Sequence, residues 1–496
     1  MYRNNSSLEC ENVPNSEYEK LRRRISNNIE EFWNFIYYEV NGLKNKEKVF
    51  EKLISTFDKI ISFGVEHKRS LINDVNNLGE VDGYSEWREK EISVLSDIVQ
   101  KRLSYLQNPV NCKSAKKLLC EINYKCGFGC QIHHLVSCLI LAYGIQRTLI
   151  LRSTKWQYHK EGWSEIFKPI SLTCTETYNA KVAKWPGANN VPVISIPTTW
   201  NIIPRSNYLP LAVPEDLAYR LETVHGNPFV WWVGQILKYI WKPQDITMSH
   251  IKQKFEEIKI QNPYVGIHIR RTDKIGTEAA FHAVEEYMSK VEEYYNQIEN
   301  NRNIAKRRVY IATDDINAIK EAKKKYSHYE IMYNPDVPKF PKKDFLHKND
   351  NIFTVITDIH ILSHSDYLVC TFSSNICRLA YELMQNNYVD AANRSASLDD
   401  VYFYIQPNIN PRKAILRHKA ENEKEIDLLP GDIVDVSINY WNGYSLGTNS
   451  RTHKKGLYPS FKVEMATEIV KFPTYAEIES NKLFNNASTT KKLSNN

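Results

Sequence analysis

The chain is 496 residues long, 42% hydrophobic and 25% charged, with a formal net charge of +7; this is the composition of a globular protein of about three domains. Its basic residues are dispersed instead of gathered in one tract, which argues against nucleic acid as a partner. The longest apolar segment, Leu135–Ile145, is broken by Ser137 and Gly144 and is too short to span a bilayer, and Met1–Glu19 is too polar for a signal peptide.

Residues 1–15 are polar and predict a disordered tail. Beyond them, apolar residues recur at intervals of three and four at Leu21, Ile25, Ile29, Phe32 and Ile36, again at Val49, Leu53, Phe57, Ile60 and Ile61, and again at Ile92, Leu95, Val99, Leu103 and Leu106. This spacing predicts amphipathic helices joined near Asn41-Gly42 and Gly79–Gly83, a coiled-coil-like stem over residues 16–107. Such seams pack either on their own chain or on a second copy, and the reading favoured is a homodimer through the stem.

Nine cysteines follow a pattern of their own. Cys112, Cys120, Cys126, Cys130 and Cys138 are separated by eight, six, four and eight residues, Cys174 follows, and Cys370 and Cys377 stand apart. These intervals lack the CxxC pairs of a zinc ribbon, and His133 and His134, flanked by Ile132 and Leu135, read as a packed helix start. A disulfide framework fits better, with Cys10 left over as a free or intermolecular thiol, and it implies an oxidising compartment. The sequons at Asn4, Asn5, Asn393 and Asn486 are compatible with that compartment. Residues 108–260 therefore predict a cysteine-stapled α/β region. It has a helix over Leu135–Tyr143, a strand over Thr148–Leu151 and helices over Leu217–Val224 and Val230–Ile240; the turn-rich Leu209–Asp216 crosses between lobes.

Residues 261–410 alternate strand and helix signals, the pattern of parallel strands with crossover helices. Strands are predicted at Val265–Ile269, Arg308–Ala312 and Asp366–Thr371, and helices at Ala279–Tyr294, Ile316–Lys325, Phe353–Ser363 and Ile376–Gln385. Each strand ends in polar chemistry: Arg270-Arg271, then Thr313-Asp314-Asp315, then Thr371 to Asn375 with Ser373 and Ser374. Ligands of open α/β sheets bind outside the carboxyl ends of strands, so three such ends define one site. No glycine-rich phosphate loop occurs, so an anion must be held by guanidinium forks and a helix N-terminus capped by Ser373 or Ser374. Asp314-Asp315 reads either as a magnesium-binding pair or as a helix start with an acidic first turn. Glu278 beside Lys274 suits a general base, and equally a helix N-terminal glutamate.

Residues 420–475 switch to short strands with close turns: Leu429-Pro-Gly-Asp, then Asn439-Tyr-Trp441-Asn-Gly443-Tyr444, then Gly456-Leu-Tyr458-Pro459 ending at Val463. A small five-stranded barrel fits, and the order of these motifs resembles an SH3 domain. Residues 476–496 are polar and predict a second disordered tail.

The stretches HIRRTDKIGTEAAFHAVEEYM from His268, CTFSSNICRLAYELMQ from Cys370, SLDD from Ser397, NCKSAKKLLCEINYKCGFGCQIHH from Asn111 and YLPLAVPEDLAYRL from Tyr208 together resemble the α1,6-fucosyltransferases that core-fucosylate N-glycans. The resemblance runs from about Cys112 to Tyr475. It implies a Rossmann-like, GT-B-like catalytic region between the helical stem and the SH3-like barrel, GDP-fucose as donor, an N-glycosylated protein as acceptor, and no metal or other cofactor. It implies that His268 and Asp358 recognise guanine, that Tyr158 lies against the ribose, and that Arg270, supported by Arg271, holds the β-phosphate. Ser374 and Asn375 would line the diphosphate, Lys274 and Glu278 would serve proton removal, and Asp273, Tyr287, Asp314 and Asp315 would complete the pocket. Asp399, Asp400 and Tyr440 are the acceptor-binding candidates. By the family's pattern Cys112 pairs with Cys174, Cys120 with Cys138, Cys126 with Cys130, and Cys370 with Cys377. The family's members are type II Golgi membrane proteins, which makes a Golgi-luminal location the expectation and the missing N-terminal anchor a sign of truncation, a soluble form or an incomplete gene model.

Three positions depart from the family's pattern. Asn375 stands where glutamine is common, Tyr440 where a histidine is, and Leu446 where a lysine is, so the donor site is preserved and acceptor preference is where this chain differs. Two alternatives stand beside the leading reading. One is a fucosyltransferase of the same chemistry acting on another GlcNAc-containing acceptor, such as a chitin oligosaccharide. The other is a non-catalytic binding protein that uses the SH3-like barrel as an adaptor, which the retained Arg270, Lys274 and Glu278 disfavour.

Overall fold

The three apolar stripes fold as three long helices, α1 (Ser16–Lys44), α2 (Glu51–Val81) and α3 (Ser85–Gln107), in a computed structural model that describes residues 14–44, 51–209, 211–271, 280–336, 351–404, 411–475 and 478. The expected terminal tails lie almost wholly outside the described residues. Asn41-Gly42 does not end the first helix, which runs on to Lys44; the join falls within residues 45–50, also outside the described ones. The second join is where it was expected, at Gly83 with φ +79°.

Helices α1 and α2 form an antiparallel hairpin: the Tyr18 hydroxyl reaches the Leu78 carbonyl at 3.2 Å and Lys44 pairs with Asp58 at 2.6 Å. The hairpin is fastened to its own chain. Glu19, 1% exposed, takes Arg22 at 3.2 Å and the Arg88 Nε at 3.2 Å, and Arg23 donates to the Glu222 carbonyl at 2.8 Å. Its outer face nevertheless leaves Phe32 67%, Phe63 66% and Leu71 51% exposed. Helix α3 is different in kind, with Leu95, Val99 and Leu103 sunk in the main core.

The cysteine-rich region builds a parallel four-stranded sheet, order β2-β1-β4-β3, from β1 (Lys117–Glu121), β2 (Thr148–Arg152), β3 (Val182–Lys184) and β4 (Val193–Ser195). Helix α4 (Phe128–Gly144), almost wholly buried, packs on β1 and β2; it starts seven residues before the expected Leu135, and His133 and His134 lie inside it, not at its start. Disulfides join Cys112 to Cys174, Cys120 to Cys138, and Cys126 to Cys130, and a fourth joins Cys370 to Cys377.

Leu209–Asp216 is not a turn-rich crossing. Its centre is strand β5 (Ala212–Pro214), fully buried, and Pro214 then occupies the N-cap position of α5 (Glu215–Val224), where its missing N–H costs nothing. Helices α6 (Pro228–Ile240) and α7 (Asp245–Ile258) follow, and α6 buries Trp231 and Trp232 at 0% and 1% exposure.

The β–α alternation folds as a five-stranded parallel sheet of β6 (Tyr264–Ile269), β7 (Arg308–Thr313), β8 (Glu330–Met332), β9 (Tyr367–Cys370) and β10 (Ser395–Ser397). Helices α8 (Val284–Ile298), α9 (Ile316–Lys325), α10 (Asn351–Ser363) and α11 (Asn375–Met384) lie between them. Helix α8 begins at Val284, not Ala279, because Phe281 is drawn over the Arg271 guanidinium at 4.7 Å and Ala283 is extended. The strand order β10-β9-β6-β7-β8 reverses direction between β6 and β9, so their carboxyl ends flank the crevice where such sheets take ligands.

The C-terminal segment forms an antiparallel five-stranded sheet, order β14-β13-β12-β11-β15: β11 (Pro411–Ala414), β12 (Ile433–Asn439), β13 (Tyr444–Asn449), β14 (Lys455–Pro459) and β15 (Val463–Met465). Leu428, Val434, Val436 and Tyr458 make its small core. A last strand, β16 (Glu468–Val470), leaves this sheet to pair in parallel with β5. Helix α1 touches this segment too: at Gly443, φ +88°, a Cβ would stand 2.9 Å from the Phe35 Cβ. The molecule is thus mixed α/β.

Candidate active site

At the end of β6, strand alternation and complete burial place His268 inside the sheet, 7% exposed, with its Nδ1 lacking a partner. Burial, and then the neighbouring Arg270, push its pKa down to about 4, so at neutral pH the ring carries no charge. The next two residues leave the strand. Arg270 Nη1 donates to Asp314 Oδ2 at 2.7 Å, and the Arg271 backbone N–H donates to Asp314 Oδ1 at 2.9 Å. The Arg271 guanidinium is 3.6 Å from both Asp315 and Glu321 and donates to the His282 carbonyl at 3.3 Å.

The two aspartates at the end of β7 are therefore engaged. Asp314 meets both arginines, and Asp315 caps α9 by accepting from the Asn317 backbone N–H at 3.0 Å. Of the two readings of this pair, the helix start is the one these contacts favour. Among the described residues, Cys120, His134 and Cys138 form the one group with metal-ligand proximity, but both sulfurs are tied up in a disulfide with each other.

The end of β9 supplies the opposite wall. Thr371 to Ser374 turn tightly into α11: the Ser374 N–H donates to the Thr371 carbonyl at 3.0 Å, and Ser374 is the N-cap residue, although its side chain makes no capping bond. Asp399, just after β10, braces this turn by accepting from the Ser373 N–H at 3.3 Å, the Ser397 hydroxyl at 2.9 Å and the Asp400 N–H at 2.6 Å. The Ser373 Oγ is buried without a partner. Tyr287, buried on α8, joins the same turn: its hydroxyl pKa is raised first by burial and then by Asp399, and lowered in part by a hydrogen bond with Thr371.

Two further expected residues arrive from elsewhere. Tyr158 is 2% exposed and donates to the Cys126 carbonyl at 3.3 Å; burial pushes its pKa up to about 12, and the charge of Arg270 opposes that rise, which marks the two as neighbours. On α10, Asp358 is half-buried, and its pKa is raised to about 7 by desolvation. It accepts from the Tyr310 hydroxyl at 2.6 Å and from Asn334 at 3.4 Å.

Asp400 is held in the acid form more readily than usual, by burial and by the adjacent Asp399. Tyr440, in the C-terminal segment, is 47% exposed. Its neighbour Trp441, unassigned from sequence, donates its indole N–H to the Asp399 carbonyl at 2.9 Å and so ties that segment to the turn after β9. Asp273, Lys274 and Glu278 lie outside the described residues. Tyr310, Asn334, His133 and Glu382 were also missed as site residues; each is a buried polar group whose partner is distant in sequence, and no local pattern announces that.

Two arginines at the carboxyl end of β6, next to the strand β9 that leads into the N-terminus of α11, put cationic side chains and a helix start at the switch point of a parallel sheet, the arrangement with which an α/β enzyme takes an anionic ligand. A family model described as alpha-(1,6)-fucosyltransferase N- and catalytic domains matches residues 2–403. The chain is 46% identical to an alpha-(1,6)-fucosyltransferase of Drosophila melanogaster over 468 residues, 94% of this chain and 76% of that one. It is 38% identical to one of Caenorhabditis elegans over 401 residues, 79% and 72% of the respective lengths. Among solved structures, the fucosyltransferase NodZ from Bradyrhizobium superposes with a TM-score of 0.35 at 12% identity over 53% of this chain and 92% of that one, a likeness too distant to inform residue roles. The chain belongs to the alpha-(1,6)-fucosyltransferase family.

Proposed function

We propose that this protein transfers fucose from GDP-β-L-fucose to the 6-hydroxyl of the innermost GlcNAc of N-glycans, inverting the anomeric centre. The observation that carries the reading is the Arg270–Arg271 pair at the carboxyl end of β6, held by Asp314 and Asp315, in a chain of this family. The acceptor oxygen attacks the anomeric carbon as the bond from that carbon to the β-phosphate oxygen breaks. The hydroxyl proton passes to the Glu278 carboxylate, Lys274 serves the same proton removal, and GDP departs with the bonding pair.

Arg270 neutralises the developing diphosphate charge, and Arg271 supports it from its own carboxylate pairs; a preorganised cation of this kind is among the largest contributions to catalysis. Because Asp314 already holds Arg270, the guanidinium is oriented before the donor arrives. Ser374 and Asn375 line the diphosphate, and the neutral His268 offers its unpartnered Nδ1, with the Asp358 carboxylate, to guanine. Tyr158 covers the ribose, while Asp273, Tyr287 and Asp315 complete the pocket. Charge neutralisation by arginine supports a transfer that needs no metal. Asp399, Asp400 and Tyr440 face the acceptor, and the five-stranded C-terminal sheet serves as an SH3-like module beside the GT-B-like catalytic region. The exposed apolar face of the α1–α2 hairpin supports a homodimer, and the four disulfides support residence in the Golgi lumen.

The test is incubation with GDP-fucose, EDTA and a biantennary glycopeptide bearing an exposed terminal GlcNAc. The expected product has one deoxyhexose on the innermost GlcNAc; no mass gain there overturns the reading. Light scattering giving a monomeric mass rejects the dimer.

A further inference from the structure

One buried polar cluster is left unused by this chemistry, and it lies directly against the first residue of α11. His133 and Glu382 are 3% and 0% exposed, on α4 and α11. The His133 Nε2 is 2.9 Å from Glu382 Oε2, and the Tyr402 hydroxyl donates to Glu382 Oε1 at 2.8 Å. On its other edge, the His133 Nδ1 is 3.1 Å from the Asn375 Oδ1, and Arg378 Nη2 is 2.7 Å from the same oxygen. The Tyr404 hydroxyl donates to the His133 carbonyl at 3.0 Å, and Arg378 lies over the Phe403 ring at 3.9 Å.

The chemistry of these partners settles which way the Asn375 amide faces. A guanidinium only donates, so the atom it meets is the carboxamide oxygen, and the His133 Nδ1 that shares it must donate as well. Both hydrogen bonds to the Asn375 side chain thus fall on its oxygen, and neither uses the two N–H groups of Nδ2. Asn375 is the first residue of α11, where backbone N–H groups already point outward. Gly129 of α4 comes so close that a Cβ there would stand 2.8 Å from the Asn375 Cβ, which lets the ring of His133, one helical turn along, reach under the side chain.

We propose that His133 and Glu382 are positioning residues for the donor: they hold the Asn375 oxygen inward so that its amide N–H groups are presented to the diphosphate. The proposal rests on the donor reading above. Without the imidazole, Arg378 alone restrains the Asn375 oxygen, and the carboxamide can tilt its N–H groups away from the phosphate. Glu382 acts one step further away, by fixing the ring that fixes the amide, as a second layer fixes a metal-bound histidine.

The experiment is a double-mutant cycle on the whole chain, read by calorimetric titration with GDP alongside thermal unfolding. His133→Phe and Asn375→Ala each weaken GDP about ten-fold, and the double variant binds no more weakly than Asn375→Ala, because the ring acts only through the amide. If His133→Phe does not fold, Glu382→Met, which keeps the length of the side chain and removes its hydrogen bond to the ring, takes its place in the cycle with the same expected non-additivity. Losses that multiply to about a hundred-fold, or a His133 variant that lowers the unfolding temperature while leaving GDP affinity untouched, overturn the proposal. A wild-type chain that does not bind GDP overturns the donor reading itself, and this inference falls with it.

Discussion

The two faces of the crevice are built on opposite principles. The donor face consists of strand ends and helix starts whose polar groups are already committed to one another: Arg270 to Asp314, Asp358 to Tyr310, Asn375 to His133 and Arg378. The proposed acceptor face consists of half-exposed side chains in the C-terminal segment, with Tyr440 47% and Trp441 40% exposed and one indole hydrogen bond reaching across to Asp399. A leaving diphosphate is the same in every turnover and rewards a rigid, preorganised site. A glycan differs from one glycoprotein to the next and is better met by an open, wettable surface.

The contrast predicts that damage to the donor face costs far more than damage to the acceptor face. Arg270→Ala should lower kcat by about a hundred- to a thousand-fold with circular dichroism unchanged, since removing one charge-stabilising donor costs that much in enzymes of other folds; near-normal turnover would remove Arg270 from its role. Next comes the pH dependence of Asp358. Its native pKa is raised to about 7 by burial, so the native state keeps the proton longer than the unfolded chain does. Its contribution to stability is therefore full below the unfolded carboxyl range and is lost as pH rises through 7. With Asp358 in its proposed role at guanine, donor affinity runs the other way, because the base's N–H groups require the carboxylate. GDP should bind about ten-fold more tightly at pH 8 than at pH 6, and Asp358→Asn should flatten that profile; an unchanged slope in the variant would assign the titration elsewhere.

Smaller effects belong to the open face. Trp441→Phe keeps the ring and loses the hydrogen bond to Asp399, worth about 1 kcal/mol. The acceptor KM should therefore rise several-fold with the KM for GDP-fucose unmoved, and equal changes in both would erase the distinction between the faces. Smallest for turnover is Glu19→Gln. Weakening a buried pair with Arg88 should lower the unfolding temperature by several degrees, at a cost of about 3 kcal/mol, while kcat stays within two-fold of wild type, as measured by steady-state kinetics.

Much of the donor face was legible because short apolar runs ended by charge have few alternatives. The strands at Val265, Arg308 and Tyr367 and the helix Ile316–Lys325 lie where periodicity puts them. The start of α8 was misread because Ala279–Ala283 have the composition of a helix, whereas Phe281 is drawn to Arg271 and Ala283 stays extended. Gly42 failed to break α1 because helix contacts with α2 outweigh a glycine penalty of about 1 kcal/mol. Leu209–Asp216 was misread because Pro210 and Pro214 imitate a turn while the partner strand lies more than 250 residues downstream. The network under Asn375 was invisible for the same reason: His133 and Glu382 are 249 positions apart, and no local period records such a meeting.

That downstream strand has a mechanical consequence. The C-terminal sheet begins at β11, shortly after the catalytic sheet, and its exit strand β16 runs back to β5, with Phe472 stacked on Tyr143 at 5.6 Å and the Tyr143 hydroxyl bonded to the Pro473 carbonyl at 2.6 Å. A body hung from a single strand of chain can swing like a pendulum and one pinned at entry and exit can still turn about the line between them, but the Trp441 indole on the Asp399 carbonyl and Phe35 of α1 against Gly443 add ties that oppose that turn. The proposed acceptor face is thus open in chemistry but stiff in placement, and a glycan that meets it there has to do the bending itself.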